Sequence, residues 1–172
     1  MSSASVSDKR GADPGPRVLL YGYGNPGRQD DGLGVALADA LEAWTRARDL
    51  PRLAFDRNYQ LNVEEALQAA GYDIVVFLDA SRDQAEPIRF RTIHPADDVA
   101  FTTHAMSPES VLGLCRALYG ARPAGKLLTI RGYSWEPNEA MTAGARANLG
   151  AARAWLEPLL ESPGRLLTAR LP

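Results

Sequence analysis

Tyr21-Gly22-Tyr23-Gly24-Asn25-Pro26-Gly27-Arg28-Gln29-Asp30-Asp31-Gly32-Leu33-Gly34 is the stretch on which the fold turns. Ahead of it, Arg17 to Tyr23 gathers apolar residues as a short buried strand does; behind it, Leu33, Leu37, Leu41 and Trp44 recur at helical spacing. A strand, a tight glycine-rich loop and a helix therefore follow one another. Glycines there permit positive φ and close backbone approach, and the helix amino terminus presents free N–H groups and the positive end of its dipole. That place suits anions. The string Gly22-x-Gly24-x-x-Gly27 also satisfies the dinucleotide fingerprint, but Asp30 and Asp31 stand where a pyrophosphate would rest. The fingerprint's later acidic residue, about 20 residues on, would fall inside the helix at Glu42. Two carboxylates argue against a nucleotide here. A helix cap, for which Asp is among the best residues, accounts for one of them and not for both.

With 172 residues and 45% hydrophobic composition, the chain has the size of one well-buried globular domain. Its 19 basic and 21 acidic side chains leave a formal net charge of −2, so no electrostatic footprint for nucleic acid is present. Cys115 is the single cysteine, which excludes an intramolecular disulfide framework. No run approaches the ~20 apolar residues needed to cross a bilayer. A reduced cytoplasmic protein without a membrane partner fits these facts. Residues 1–16 are rich in Ser, Gly and Pro and lack the apolar core of a signal peptide, so they read as a disordered tail. The domain is expected over residues 17–161, and residues 162–172, from Ser162-Pro163-Gly164 onward, as a second loose end.

Leu53 to Tyr59 reads as a second strand, followed by a short helix with Asn62 as its cap, Glu65 reaching back, and Val63, Ala66, Leu67 and Ala70 as its stripe. Asp73 to Ala80 holds an unbroken apolar run, as expected of a strand covered on both faces. It ends on Asp79, at the carboxyl edge where open α/β sheets bind ligands; a turn-initiating Asp before Ser81, Arg82 and Asp83 is the plainer reading. Pro87 to His94 follows after too short a loop for a parallel crossover and should pair antiparallel. Ser107-Pro108-Glu109 starts a helix with the stripe Val111, Leu114, Cys115 and Leu118, stopped by Gly120. Lys126 to Tyr133 forms a fifth strand, and a last helix from about Thr142 carries Ala145, Leu149, Ala152 and Leu156 until Pro158 ends or kinks it. This order predicts an α/β protein, a three-layer α/β/α sandwich around a five-stranded, mostly parallel sheet with one antiparallel strand.

Two histidines are present. His94 precedes Pro95 at a strand end and reads as a surface residue; His104 lies in the small polar turn Thr102-Thr103-His104-Ala105 before a capped helix, which favours function. Cys115 sits mid-stripe, where a free Cys behaves as a small buried hydrophobe. Neither a G-x-S-x-G elbow nor an H-E-x-x-H helix occurs. Asp31, Asp79 and His104 remain, from three separate loops, and carboxylate plus imidazole with open positions is a ligand set that nickel, zinc or iron accepts.

Gly22-Tyr-Gly24-Asn25, Asp31-Gly32-Leu33-Gly34, the strand end Leu78-Asp79-Ala80 and the His104 turn together resemble the hydrogenase maturation endopeptidases. Leu118-Tyr119-Gly120, Leu128-Thr129-Ile130-x-Gly132-Tyr133 and Glu139-Ala-Met-Thr142 agree, so the likeness spans about residues 17–160. The resemblance implies that Asp31, Asp79 and His104 form the catalytic, metal-binding set. It implies a peptidase that removes the C-terminal extension of a [NiFe]-hydrogenase large-subunit precursor after nickel insertion, the nickel belonging to the substrate more than to the enzyme. Gly24, Asn25, Asp30, Asn58 and Tyr59 are the candidates for contacting that substrate. Two positions depart from the family. Asp31 stands where Glu is common, one methylene shorter, and Asp56-Arg57-Asn58-Tyr59-Gln60 replaces a frequent Asp-Gly-Gly-Thr run, in a loop suited to selecting the substrate. Two other readings stay open: a non-catalytic, nickel-dependent binding or chaperone module for hydrogenase assembly, and a peptidyl-tRNA hydrolase-like enzyme. Gly22 to Gly27 resembles the opening of the latter, although its histidine-bearing continuation is replaced by Asp30-Asp31-Gly32.

Overall fold

The computed structural model describes residues 15–97 and 106–171. Five strands among them, β1 (Val18–Tyr23), β2 (Leu53–Asn58), β3 (Ile74–Ser81), β4 (Ile88–Ile93) and β5 (Ala124–Arg131), form one sheet in the order β2-β1-β3-β5-β4. All neighbours run parallel except β4, which pairs antiparallel with β5 as the short loop before it required. Helices α1 (Leu33–Thr45), α2 (Glu65–Ala69), α3 (Pro108–Tyr119) and α4 (Ala143–Leu160) cover both faces. The expected three-layer α/β/α sandwich results.

Strand alternation splits the core in two. Val18, Leu20, Ile74, Val76 and Leu78 pack against α1 and α4, while Leu19, Tyr21, Val75 and Phe77 pack against α2 and α3. Burial on both faces is why β1 and β3 read as continuous apolar runs. α1 meets the sheet backbone to backbone: a Cβ on Gly34 would lie 2.2 Å from the Leu78 carbonyl oxygen and 2.6 Å from that of Tyr23. Only glycine fits there. This contact draws the segment just ahead of α1, which holds Asp31, across the carboxyl ends of β1 and β3.

Several local expectations change. α2 is one short turn, so it completes no stripe; Ala66 and Ala69 are buried beside Leu61, but Val63 and Leu67 face solvent. Asn62 does not cap it, although the Glu65 carboxylate accepts from the Asn62 N–H at 2.7 Å as foreseen. α3 has its Ser107 cap, its Pro108 and its left-handed Gly120, yet Leu118 in the last turn is exposed. α4 is capped by the Thr142 hydroxyl and runs past Pro158 to Leu160. β5 begins at Ala124 and leaves the sheet before Gly132, because the backbone there turns toward Asp30. The C-terminal segment is not a loose end through residue 171. A 3-10 turn over Pro163–Leu167 buries Leu166 in the α1/α4 core, and the buried Lys126 ammonium donates to the Leu167 carbonyl and the Thr92 hydroxyl, each at 2.8 Å. A buried cation needs such acceptors. The tail expected at residues 1–16 lies, for residues 1–14, outside the described residues, as does Pro172.

Candidate active site

Adjacent in sequence, Asp30 and Asp31 do opposite things. They occupy a 3-10 turn, Gln29–Gly32, that feeds directly into α1. Asp30 turns inward and is fully buried. Its carboxylate accepts from the Tyr133 N–H at 2.8 Å, the Ser134 N–H at 3.2 Å, and the Thr142 N–H and hydroxyl at 2.8 Å each. Burial pushes its carboxyl up, but these four donors together outweigh that and hold it below the usual range. Asp30, expected above to contact the substrate, is instead buried, with its oxygens committed to tying the 133–142 segment over the strand ends.

Asp31 turns the other way. Its Oδ2 accepts from the Asn25 N–H at 3.0 Å and its Oδ1 from the Trp135 indole N–H at 3.1 Å. Neither aspartate caps α1, whose N-cap is Gly32. Gly24 lets the loop close on Asp31, with φ of +127° and a Cβ position 2.0 Å from the Asp31 carbonyl oxygen. Both demands exclude a side chain.

Asp79 lies near the carboxyl end of β3, which does not end or turn there as expected but stays paired with β5 through Ser81. The Tyr23 hydroxyl donates to its Oδ2 and the Ala80 N–H to its Oδ1, each at 2.7 Å. Burial nonetheless pushes its carboxyl up to about 6; the two hydrogen bonds pull the other way, and the negative charge of Asp31 adds to the rise. Two carboxylates thus lie close enough to feel each other, and the half-buried Asp79 has no ion-pair partner among the described residues. A carboxylate raised by burial and by a neighbouring charge at the edge of a sheet marks a candidate functional site. Tyr23, under burial and the Asp79 charge, is held far above the ordinary phenol range and stays a neutral donor.

Of the other candidates, His104 lies outside the described residues. Among those described, no group of three or more His, Cys, Asp or Glu side chains comes together, so Asp31 and Asp79 stand as a pair. Asn25 orders its own loop, its side-chain oxygen accepting from the Gly27 N–H at 2.8 Å. The Asn58 amide donates to Glu65 at 3.1 Å, and Glu65, nearly buried, also accepts from the Tyr21 hydroxyl at 2.8 Å. Tyr59 beyond it is 69% exposed. Gly24, Asn58 and Tyr59 line a cleft of ≈ 250 Å³ together with Pro26, Val35 and Arg57. A roomier cavity of ≈ 1050 Å³ opens along β4 and Trp155, away from the carboxylates. His94 is exposed as read, and Cys115 is buried, donates to the Ala66 carbonyl at 3.3 Å and has its thiol pushed up to about 11 by burial, which leaves it unreactive. Glu42, the acid a nucleotide would need, is taken by Arg57 at 2.6 Å. No helix among the described residues is long and apolar enough to cross a membrane.

Sequence reading missed Trp135 and Tyr23, which fix the two carboxylates. Neither carries charge, and each acts across the fold; Trp135 lies 104 residues from Asp31.

Solved structures decide the architecture. The hydrogenase maturating endopeptidase HybD from E. coli aligns with a TM-score of 0.66 and 24% identity over 86% of this chain and 94% of its own. The [NiFe] hydrogenase maturation protease HycI from Thermococcus kodakarensis KOD1 aligns at 0.61 and 21%, over 89% and 93%. This chain shares the fold of the hydrogenase maturation proteases. A hydrogenase 2 maturation peptidase from Thaumarchaeota archaeon SCGC_AB-539-E09 aligns at 0.58 and 24%, over 83% and 97%. No family model and no curated protein matches the sequence. In that fold the switch between β1 and β3 puts Asp31 and Asp79 in the crevice at the carboxyl ends of the strands, where α/β sheets bind ligands.

Proposed function

We propose that this chain is an endopeptidase that removes the C-terminal extension of a [NiFe]-hydrogenase large-subunit precursor after nickel insertion. The observation that carries the reading is the convergence of Asp31 and Asp79 at the carboxyl edge of the sheet, in a fold shared with maturation proteases that act in hydrogenase assembly. The nickel is treated as part of the substrate. The donor set suits it: two carboxylates repel each other until a cation lies between them, and His104 is assigned as the third ligand.

Tyr23 and Trp135 keep one lone pair of each facing carboxylate engaged, so the remaining lone pairs have a fixed direction. Bound there, a substrate nickel would bring the scissile peptide to the same edge, where the metal can polarise a carbonyl or activate a water. The reading puts the protein in the cytoplasm, with the precursor as its partner.

The test is to incubate the protein with a large-subunit precursor, with and without nickel loaded, and to measure the precursor's intact mass. Loss of the C-terminal peptide in the nickel-loaded sample alone is expected. Asp31→Ala and His104→Ala should abolish that loss while the variants stay folded. A stable complex with unchanged mass would replace the peptidase with a binding module.

A further inference from the structure

Asp31 has a second cleft beside it. Distinct from the Gly24/Tyr59 cleft, a cavity of ≈ 470 Å³ is lined by Arg28, Arg82 and the segment from Gly132 to Pro137. Asp31 lines neither cleft, but a residue of each touches it. Gly24 of one abuts the Asp31 backbone, and Trp135 of the other donates its indole N–H to the Asp31 carboxylate.

Among the described residues, neither the Arg28 nor the Arg82 guanidinium has a carboxylate within 4.0 Å, whereas those of six other arginines, Arg48, Arg57, Arg89, Arg91, Arg116 and Arg153, sit in ion pairs. Arg82 is not loose. Its guanidinium lies over the Trp135 ring, 4.2 Å from the centroid, so the group that orients Asp31 also holds a cation at the mouth of the cleft. Stacking leaves the edge of a guanidinium plane available for hydrogen bonds, the arrangement that suits a carboxylate. Glu136 also lines the cleft but pairs with neither arginine; its N–H donates to the Gln29 side chain at 3.1 Å, which holds it in the cleft wall. Two unpaired guanidiniums against one acid leave this cleft cationic, one residue from a pair of carboxylates that is anionic.

We propose that the Arg28/Arg82 cleft is a subsite for a carboxylate of the peptide being processed. The inference rests on the peptidase reading and adds the chemistry of its substrate. An extended segment crossing Asp31 runs from the Tyr59 cleft to the Trp135 cleft. Its acidic group is held by Arg82 and Arg28 while the segment between passes over Asp31 and Asp79. Opposite charges side by side fix the direction and register of the chain, as electrostatic complementarity does at other interfaces.

The experiment compares wild type, Arg82→Gln and Arg28→Gln/Arg82→Gln, each verified as folded by its melting curve. The probes are nickel-loaded precursor, the same precursor with the acidic side chains around the cut changed to their amides, and a precursor whose C-terminal carboxylate is amidated. Binding is measured alongside cleavage. The double variant should raise KM for the unmodified precursor about tenfold with kcat little changed. It should lose nothing further on whichever modified precursor wild type already handles poorly, and that precursor identifies a side chain or the chain terminus as the source of the carboxylate. Arg82→Glu with a lysine in place of the acid should recover part of the loss, which a merely structural role would not give. Wild-type binding and cleavage of every precursor by the double variant would overturn the subsite. If wild type cleaves nothing yet binds the precursor in an Arg82-dependent way, the peptidase reading fails and the subsite stands; if it neither cleaves nor binds, both fall.

Discussion

Asp79 is a carboxylate at odds with its surroundings, and pH exposes the conflict. Its folded-state value of about 6 lies above the ~3.9 of an unfolded aspartate. Well below pH 4 the side chain is neutral in both states. Between about 4 and 6 the unfolded chain ionises first, so the stability due to this group is lost as pH rises through that window. Asp79→Asn stays neutral throughout and keeps an oxygen for the Ala80 N–H and a polar partner for the Tyr23 hydroxyl. Its melting temperature should match wild type at about pH 3 and exceed it at pH 7.5, while processing activity is lost. Equal melting at both values would show that the burial of Asp79 is already compensated. Proteins keep such a residue for function at the expense of stability. Asp79 could be read from the sequence because a carboxylate ending an apolar run is conspicuous. The split between Asp30 and Asp31 could not: identical neighbours are told apart only by Tyr133, Ser134 and Thr142, more than 100 residues along the chain.

At the scale of elements, the site depends on how closely α1 approaches the sheet. Gly34 touches the carbonyls of both Leu78 and Tyr23, the residues just before Asp79 and just before Gly24. Gly34→Ala must push α1 outward by more than a few tenths of an ångström, and Asp31 moves with it. Overpacking of this kind costs about 3 kcal/mol and should abolish processing along with it. Gly150, in α4, meets nothing within 4 Å at its Cβ position, so Gly150→Ala should instead gain about 0.5–1 kcal/mol through helix propensity. Urea denaturation of the two variants gives opposite signs if this packing account holds; two small changes of the same sign would refute it. The same contrast explains what was legible. Hydrophobic periodicity placed α1, α3 and α4, because each is long enough to build a stripe, and cap and stop residues bounded α3 and α4 to within about two residues. α2 is too short for the pattern to decide its buried face, so Val63 and Leu67 were assigned inward and face outward.

For the whole molecule, polar character misled the reading of the C-terminal segment. Ser162, Pro163 and Gly164 look like the beginning of a loose end, and the following Leu166 carries no periodic signal of its own. What secures it is tertiary: Leu166 is wholly buried against α1 and α4, and the Leu167 carbonyl takes a hydrogen bond from Lys126, a buried cation on β5. Deleting residues 162–172 removes the burial of one leucine and one acceptor of a buried ammonium. Together these should lower stability by about 2–4 kcal/mol in urea denaturation. The carboxylates should not notice. Asp31 and Asp79 take their hydrogen bonds from Asn25, Trp135, Tyr23 and Ala80, none of which lies in the deleted segment. The truncated protein should therefore process the nickel-loaded precursor with unchanged kcat at a temperature well below its melting point. A fall in kcat with stability intact would mean that this segment reaches the substrate, and that the cavity along β4 and Trp155, which residues 167–171 help to line, belongs to the working surface.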